Sequence, residues 1–167
     1  MWTRSRIAFT IFLISFGIFS LKVYVIAPTE SDIIEKIFGF IMVGTIALGL
    51  INSLMQQQLQ GKLEGKLIFD TDKIIIDNDV YKLNEIRLIK INIGNYQGQL
   101  ISSNVGFWEI FSNGVNNELI IILNSGESLK CYFQTEYERE IIHANKELRI
   151  YLDEGKMIKT NYIEITS

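Results

Sequence analysis

The stretch that decides the fold prediction is KIFGFIMVGTIALGLINSLM, residues 36–55. Its central part, 37–54, holds 18 residues and no charge. As a helix this part would span about 27 Å, close to the ~30 Å hydrocarbon core of a bilayer. The residues behind it could form only one small domain, which offers no surface able to cover such a helix on every side. The stretch therefore predicts a transmembrane helix, bounded at 33–55.

A second apolar segment, IAFTIFLISFGIFSLKVYVIA at 7–27, has 21 residues and predicts another transmembrane helix of about 31 Å. Lys22 lies near one end, where its amine can reach the headgroups, and Trp2 and Tyr24 would form an aromatic belt. A competing interpretation is a secretory signal peptide that is cleaved after 25–27. The length of the apolar run and the position of Lys22 favour the uncleaved helix.

The connection between the two segments, 28–32, is so short that it permits only an antiparallel hairpin, and it contains no Lys or Arg. Two arginines lie in the N-terminal segment 1–6, and Lys62 and Lys66 follow the second helix. The positive-inside rule then places both termini in the cytoplasm. We therefore expect a multi-pass protein of the cell inner (plasma) membrane, with the lipid bilayer as its first partner.

Small residues in the second helix predict close packing in the membrane. Gly44 precedes Thr45 and Gly49, which form a small-xxx-small pair four residues apart. The alternative is that glycines are simply common in membrane helices, and the sequence leaves both interpretations open.

Behind a polar linker at 56–64, the segment 65–155 changes to short strand-like runs. Seven runs are rich in Ile, Leu, Val and aromatic residues: LIFD, KIIID, VYKL, EIRLIKINI, GFWEIF, ELIIIL and SLKCYF. Turn signals separate several of them, at Asp70-Thr71-Asp72, Asp77-Asn78-Asp79, Asn113-Gly114 and Asn124-Ser125-Gly126. We therefore predict a seven-stranded antiparallel β-sandwich or barrel, and the fold class α+β for the whole chain.

An amphipathic C-terminal helix should follow the last strand. Thr135 is a good N-cap, Glu138 completes a capping box, and Gly155 ends the pattern. One apolar stripe is expected to lie on the sheets, formed by Tyr137, Ile141, Ala144, Leu148, Tyr151 and Leu152. The remaining tail, 156–167, alternates weakly and predicts an edge strand.

This order of strands followed by one helix, with the opening GKLIFDTDKIIID, resembles a bacterial pleckstrin-homology-like domain over 65–154. The resemblance implies two packed, nearly orthogonal sheets with the helix closing one open end. It also implies a binding platform for lipid headgroups or peptides. Phosphoinositide-binding members carry basic residues around the first hairpin loop. Asp70-Thr71-Asp72 occupies that loop here, so phosphoinositide binding is not expected.

The sequence shows no pattern typical of catalysis or of a cofactor. Its one histidine, His143, and its one cysteine, Cys131, lie far apart and give no zinc spacing. We predict a solvated His143 and a buried, unreactive Cys131 that shares a strand face with Leu129 and Phe133. No nucleophile elbow or phosphate-binding loop is present.

Charge and acidic residues exclude further classes of function. The formal net charge of −3 argues against a nucleic-acid partner, which requires a basic surface. Asp70, Asp72, Asp77 and Asp79 invite the hypothesis of a calcium site, but their spacing does not match an EF-hand loop. Asp is also the expected residue in turns, and we favour that interpretation.

One glycine- and aromatic-rich stretch, 94–114, predicts a partner surface. We assign Tyr96 and Trp108 to this surface, because aromatic side chains give a large contact area at little entropic cost. The alternative interpretation makes Phe107, Trp108 and Phe111 core residues of the fifth strand, and we favour it for two of the three.

The functional prediction is a membrane-anchored, non-enzymatic interaction or scaffold module that presents a cytoplasmic pleckstrin-homology-like domain to an unknown protein partner or to a second copy of itself. The alternative is a membrane-bound sensor whose β-domain binds a small molecule or a lipid headgroup. An enzyme is the weakest hypothesis. A closed pocket with convergent polar groups would favour the sensor, and an open groove along a sheet edge would favour the interaction module.

Overall fold

The computed structural model describes residues 4–24, 32–59, 62–101 and 108–167, and in these ranges the chain forms four α-helices and eight β-strands. The helices are α1 (Arg4–Tyr24), α2 (Asp32–Ser53), α3 (Asn145–Asp153) and α4 (Lys159–Thr166). The strands are β1 (Leu67–Phe69), β2 (Lys73–Ile76), β3 (Asp79–Lys82), β4 (Ile86–Asn92), β5 (Gln97–Leu100), β6 (Phe111–Asn113), β7 (Asn117–Leu123) and β8 (Ser128–Phe133). Short 3₁₀ segments, Leu83–Glu85 and Glu140–Ala144, precede β4 and α3.

The chain divides into two compact units. Unit 1 comprises Met1–Gln58 and Leu100–Phe111, and unit 2 comprises Leu59–Gln99 and Ser112–Ser167. Unit 2 is therefore discontinuous in sequence, because a segment of unit 1 is inserted into it. The predicted connecting loop at 28–32 lies outside the described residues, except for its last residue, Asp32. Trp2 also lies outside them.

In unit 1, α1 packs against α2. Small residues are buried on the two helices, namely Ser15 on α1 and Thr45 and Gly49 on α2. The Thr45 hydroxyl donates a hydrogen bond of 2.6 Å to the carbonyl of Ile41, which satisfies it inside its own helix. Large apolar side chains point outward, and Phe40 is 79% exposed.

Within the residues that the structure describes, no helix is long and apolar enough to cross a membrane. The predicted transmembrane hairpin, the integral membrane protein and the multi-pass inner-membrane location were therefore wrong.

Unit 2 contains two three-stranded antiparallel sheets. The first has the order β1-β2-β3, with Ile68 opposite Ile75 and Ile75 opposite Val80. The second has the order β4-β7-β8, with Ile89 opposite Ile121 and Ile121 opposite Leu129. Three of the predicted turns join paired strands, at 70–72, 77–78 and 124–127.

A third, two-stranded sheet pairs β5 with β6. The Asn113-Gly114 turn signal does not join paired strands, since β6 and β7 follow one another without pairing in the described residues. Gly114 does take a positive φ of 74°, but it serves a close approach of chains. A Cβ there would lie 2.4 Å from the carbonyl oxygen of Thr135 and 2.5 Å from the amide nitrogen of Gln97.

The core of unit 2 joins the inner faces of both three-stranded sheets to the C-terminal helices. Fully buried Ile residues come from the strands, including Ile74, Ile89 and Ile121, and the helices contribute Leu148 and Tyr151. The Tyr151 hydroxyl donates to the carbonyls of Asp70 at 2.6 Å and Lys73 at 3.2 Å. Helix α3 is thereby fixed to the first hairpin of the sheet as well as to the core.

The fold class was wrong in further respects. The described residues contain eight strands in three small sheets instead of seven in one sandwich or barrel, and the sheets do not close. The C-terminal helix begins later than predicted, because Arg139 adopts a left-handed φ of 62° and breaks the helix that Thr135 was expected to start. The tail forms helix α4 rather than an edge strand.

Candidate functional site

Two of the end strands in unit 2, β1 and β8, have no neighbouring strand on their outer side among the described residues and lie against the same cavity. Strand β1 ends the sheet β1-β2-β3, and strand β8 ends the sheet β4-β7-β8. A free edge presents backbone N–H and C=O groups that another chain can pair with. The position of these two edges therefore defines the candidate site.

The free groups of β1 follow from its pairing with β2. The amide of Asp77 donates to the carbonyl of Lys66 at 2.8 Å, and the amide of Asp70 donates to the carbonyl of Lys73 at 3.0 Å. In an antiparallel ladder, hydrogen-bonded positions alternate with positions whose backbone groups point the other way. The N–H and C=O groups of Leu67 and Phe69 therefore point away from β2.

The same reasoning applies to β8. The amide of Leu123 donates to the carbonyl of Glu127 at 2.8 Å, and Leu123 continues the ladder in which β7 pairs with β8. Alternate positions from Glu127 onward face β7, so the backbone groups of Lys130 and Tyr132 point away from it. Tyr132 on this edge is 63% exposed.

A cleft of about 550 Å³ lies against both free edges and is bordered by the 3₁₀ segment before α3. Its apolar lining comes from β1, β2, β8 and that segment: Phe69, Ile76, Cys131, Phe133, Ile141 and Ala144. Charged and polar side chains line it as well: Glu64, Lys66, Asp77, Glu140 and His143. We call this cavity the edge cleft. It offers apolar surface and free backbone groups in one place.

The opposite edge of the second sheet is covered. The amide of Ile89 on β4 donates to the carbonyl of Lys156 at 2.7 Å. The Asn161 side chain accepts from the amide of Ile91 at 2.9 Å and donates to its carbonyl at 2.6 Å, as a neighbouring strand would. The fold therefore supplies hydrogen-bond partners along the β4 edge, whereas the β8 edge stays open to another chain.

Two side chains of the edge cleft, Cys131 and His143, are of types that can act in catalysis. Burial raises the pKa of the Cys131 thiol, so the thiol stays protonated at neutral pH and is a poor nucleophile. His143 is exposed and meets Tyr137 edge-on, with ring centroids 5.9 Å apart. In the described ranges, no three His, Cys, Asp or Glu side chains are grouped so that they could hold a metal ion.

The acidic hairpin residues act locally. Asp70 accepts a hydrogen bond of 2.7 Å from the amide of Thr71, which lowers the pKa of its carboxyl, and Lys73 lies 3.5 Å from it. Asp77 takes a left-handed φ of 55° in the turn between β2 and β3. These local roles agree with the prediction that the acidic residues belong to turns.

The structure places the two predicted partner residues in different units. Tyr96 is half-buried in unit 2, and its amide donates to the Gln99 side chain at 3.2 Å. Trp108 belongs to unit 1, where it is 56% exposed and its ring centroid lies 5.3 Å from that of Phe9. Phe107 lies outside the described residues. The helix-packing residues differ among themselves, since Thr45 and Gly49 are buried and Gly44 is exposed.

The edge cleft was not identified from the sequence. Its strands were predicted, but a strand's edge is free or paired only according to which other strand lies beside it. The alternation of exposed and half-buried residues in β8 was predicted, and the structure confirms it. That pattern fixes the two faces of a strand and says nothing about its edges.

No family model, curated protein or solved structure matches the chain. The assignment of a function therefore depends on the geometry and chemistry of the edge cleft.

Proposed function

We propose that unit 2 is a non-enzymatic interaction module that binds an extended peptide segment of a partner protein in the edge cleft by strand addition. The observation that carries this proposal is the pair of free strand edges, β1 and β8, that border one apolar cavity. Main-chain hydrogen bonds to a free edge supply affinity, and pockets for alternate side chains supply specificity.

The alternation of the added strand defines the ligand. Side chains that point inward would contact Phe69, Phe133 and Ile141 and should be apolar. Side chains that point outward would lie beside Tyr132 and Lys130, where the Lys130 amine pairs with Glu118 and lies 5.0 Å from the centre of the Tyr132 ring. We therefore expect a ligand of alternating apolar and polar residues.

The resemblance to pleckstrin-homology-like domains is compatible with this proposal, because it implies a platform for peptides or lipid headgroups. A small apolar molecule is the second candidate. The cavity volume of about 550 Å³ lies in the range of small-molecule sites, which is roughly 300–1,000 Å³. A small molecule would use the apolar lining and leave the free backbone groups unpaired.

Two substitutions of Leu67 separate the two candidates. Leu67 lines the cleft, so Leu67→Ala and Leu67→Pro both shorten its side chain, but only proline also removes an N–H group that points away from β2, without removing a bond of the β1–β2 ladder. The matched control is Val80→Pro. Val80 lies on β3, is 51% exposed, and by its register also points its N–H away from β2. Proline at Val80 changes a free edge outside the cleft.

The experiment is a selection of random twelve-residue peptides on the full chain, followed by calorimetry of the selected peptides. We expect Leu67→Pro to bind about tenfold more weakly than Leu67→Ala, which corresponds to one lost hydrogen bond of roughly 1.4 kcal/mol, and Val80→Pro to bind as the unaltered chain does. A cooperative thermal unfolding transition of each Leu67 variant shows that it is folded. Equal peptide binding by Leu67→Pro and Leu67→Ala, or a selection without enriched peptides, would contradict strand addition.

A further inference from the structure

A second cavity of unit 2 shares a wall with the edge cleft. It has a volume of about 320 Å³, and both cavities are lined by Thr135, Tyr137, Glu140 and Ile141. A ligand that fills the edge cleft therefore passes within one side chain of this second cavity. We call it the tyrosine pocket, after the two rings that line it, Tyr96 and Tyr137.

Two aromatic rings line the tyrosine pocket. The face of an aromatic ring attracts an ammonium or guanidinium group within about 6 Å of its centre. Tyr96 is half-buried and Tyr137 is 48% exposed, so the pocket is open enough to admit such a group.

The loop that carries Tyr96 is held in place by hydrogen bonds to the buried residues Asn117 and Thr135. Asn117, which is fully buried, donates from its side chain to the carbonyl of Asn95 at 3.0 Å, and it accepts from the amide of Gly94 at 2.8 Å. The Thr135 hydroxyl also donates to the carbonyl of Asn95, at 2.9 Å. The wall of the pocket is therefore preorganised before any ligand arrives.

The charges around the rings favour the same kind of ligand. Glu138, Glu140 and Glu164 line the pocket together with one guanidinium, that of Arg139, which leaves a net charge of −2 at neutral pH. The side-chain oxygen of Asn95 is buried and has no hydrogen-bond partner among the described residues, so its partial negative charge adds to the field of the carboxylates.

We infer that the tyrosine pocket receives the cationic side chain of a Lys or Arg residue that lies next to the apolar stretch of the peptide. This inference rests on the proposed function and adds one residue class to the ligand. The ligand is then an extended segment with alternating apolar residues and a basic residue at one end.

The first test uses a probe too small to fill the edge cleft. The full chain, labelled with ¹⁵N and with ¹³C in its tyrosines, is titrated with N-acetyl-arginine N-methylamide, and the neutral isostere N-acetyl-citrulline N-methylamide is the control. We expect saturable shifts of the Tyr96 and Tyr137 resonances with the arginine compound only. Absence of saturation, or equal shifts with citrulline, would overturn the inference while leaving the cleft proposal intact.

Variants locate the probe. Tyr96→Phe keeps the ring and should retain binding, whereas Tyr96→Leu should abolish it, and Glu164→Gln should weaken it several-fold by removing one carboxylate. Leu67→Pro, which alters the edge cleft, should bind the probe as well as the unaltered chain does. Equal affinity of Tyr96→Leu and Tyr96→Phe would contradict a role for the ring.

The second test links the pocket to the peptide. Peptides selected on the unaltered chain should be enriched in Lys or Arg at one end, and peptides selected on Tyr96→Leu should lose that enrichment. Selected peptides without a terminal basic residue, together with normal binding of the arginine probe, would show that the pocket takes free cations. That outcome would overturn the link to the peptide and would still support strand addition.

Discussion

Two glycines with a positive φ show how differently one residue type acts in this chain. Gly114 and Gly126 have φ values of 74° and 90°. A Cβ at Gly114 would lie 2.4 Å from the backbone of Thr135, whereas a Cβ at Gly126 would meet nothing within 4 Å. Position 114 therefore requires glycine both because a side chain would collide with neighbouring backbone and because its φ is positive. Position 126 requires glycine only because its φ is positive.

We predict that Gly126→Ala lowers the free energy of unfolding by about 1 kcal/mol, the cost of a left-handed L-residue. Gly114→Ala should lower it by about 3 kcal/mol or more, because backbone atoms of Thr135 and Gln97 must also move. Urea unfolding of the two variants measures the difference. Similar losses would show that the close approach at Gly114 carries no extra cost.

Tyr151 is buried, and its hydroxyl bonds to two backbone carbonyls of the first hairpin. Tyr151→Phe should cost about 1 to 2 kcal/mol at pH 7, because the carbonyl of Asp70 loses the hydroxyl that donates to it, while the carbonyl of Lys73 keeps the amide of Asp70 as a donor. Burial raises the pKa of Tyr151 above its ordinary value of 10. Its contribution to stability is therefore complete below about pH 10 and is lost as the pH rises further.

The pH dependence gives this residue a specific signature. The gap in unfolding free energy between Tyr151→Phe and the unaltered chain should shrink above pH 10 by about 1.4 kcal/mol per pH unit, since only the unaltered unfolded chain can ionise at this position. Chemical unfolding at pH 8, 10 and 11 measures the gap. A constant gap to pH 11 would mean that Tyr151 ionises equally in both states.

At the scale of elements, the β4 edge depends on a short helix for its cover. Asn161 on α4 is 7% exposed and bonds to both backbone groups of Ile91. Asn161→Ala should destabilise the chain by about 2 to 3 kcal/mol and accelerate amide exchange at Ile91 and along α4. Thr160→Ala, at an exposed neighbour, should change stability by less than ~0.5 kcal/mol. Unchanged exchange at Ile91 in Asn161→Ala would contradict the edge cover.

Elements fixed by local chemistry were predictable, and elements fixed by distant partners were not. The turns at 70–72 and 124–126 carry Asp, Asn and Gly and join paired strands as expected. Asn113-Gly114 carries an equally strong signal, but β6 pairs with β5 instead of β7. The tail 156–167 looked like an edge strand, and it covers the β4 edge through the carbonyl of Lys156 and the side-chain amide of Asn161 on α4.

The same distinction applies to the candidate site: features set by the local sequence were predictable, and features set by distant residues were not. Apolar lining residues such as Cys131 and Phe133 were assigned to one strand face from their spacing, and the structure confirms that they share it. Their role in a cleft depends on β1, more than 50 residues earlier in the chain, which no local pattern reveals. Tyr96 was singled out for its aromatic ring, and the residues that complete its pocket come from α4 and the segment before α3.

At the scale of the whole molecule, unit 2 carries a complete core. Every member of its buried apolar cluster, from Ile74 to Ile165, belongs to unit 2. We predict that 59–167, with 100–111 replaced by a short glycine-rich turn, folds on its own and unfolds in one cooperative transition. Dispersed amide resonances and coincident fluorescence and circular dichroism transitions would show this, and a broad, non-coincident transition would contradict it.

The central claim is that a peptide adds a strand at the free edges of β1 and β8. Amide hydrogen exchange of the full chain, with and without a selected peptide, tests it most directly. The amides of Leu67, Phe69 and Tyr132 should exchange quickly in the free chain and become protected at least tenfold on binding, while Val80 stays unchanged. Binding without protection of these three amides would contradict strand addition and favour a ligand that contacts side chains alone.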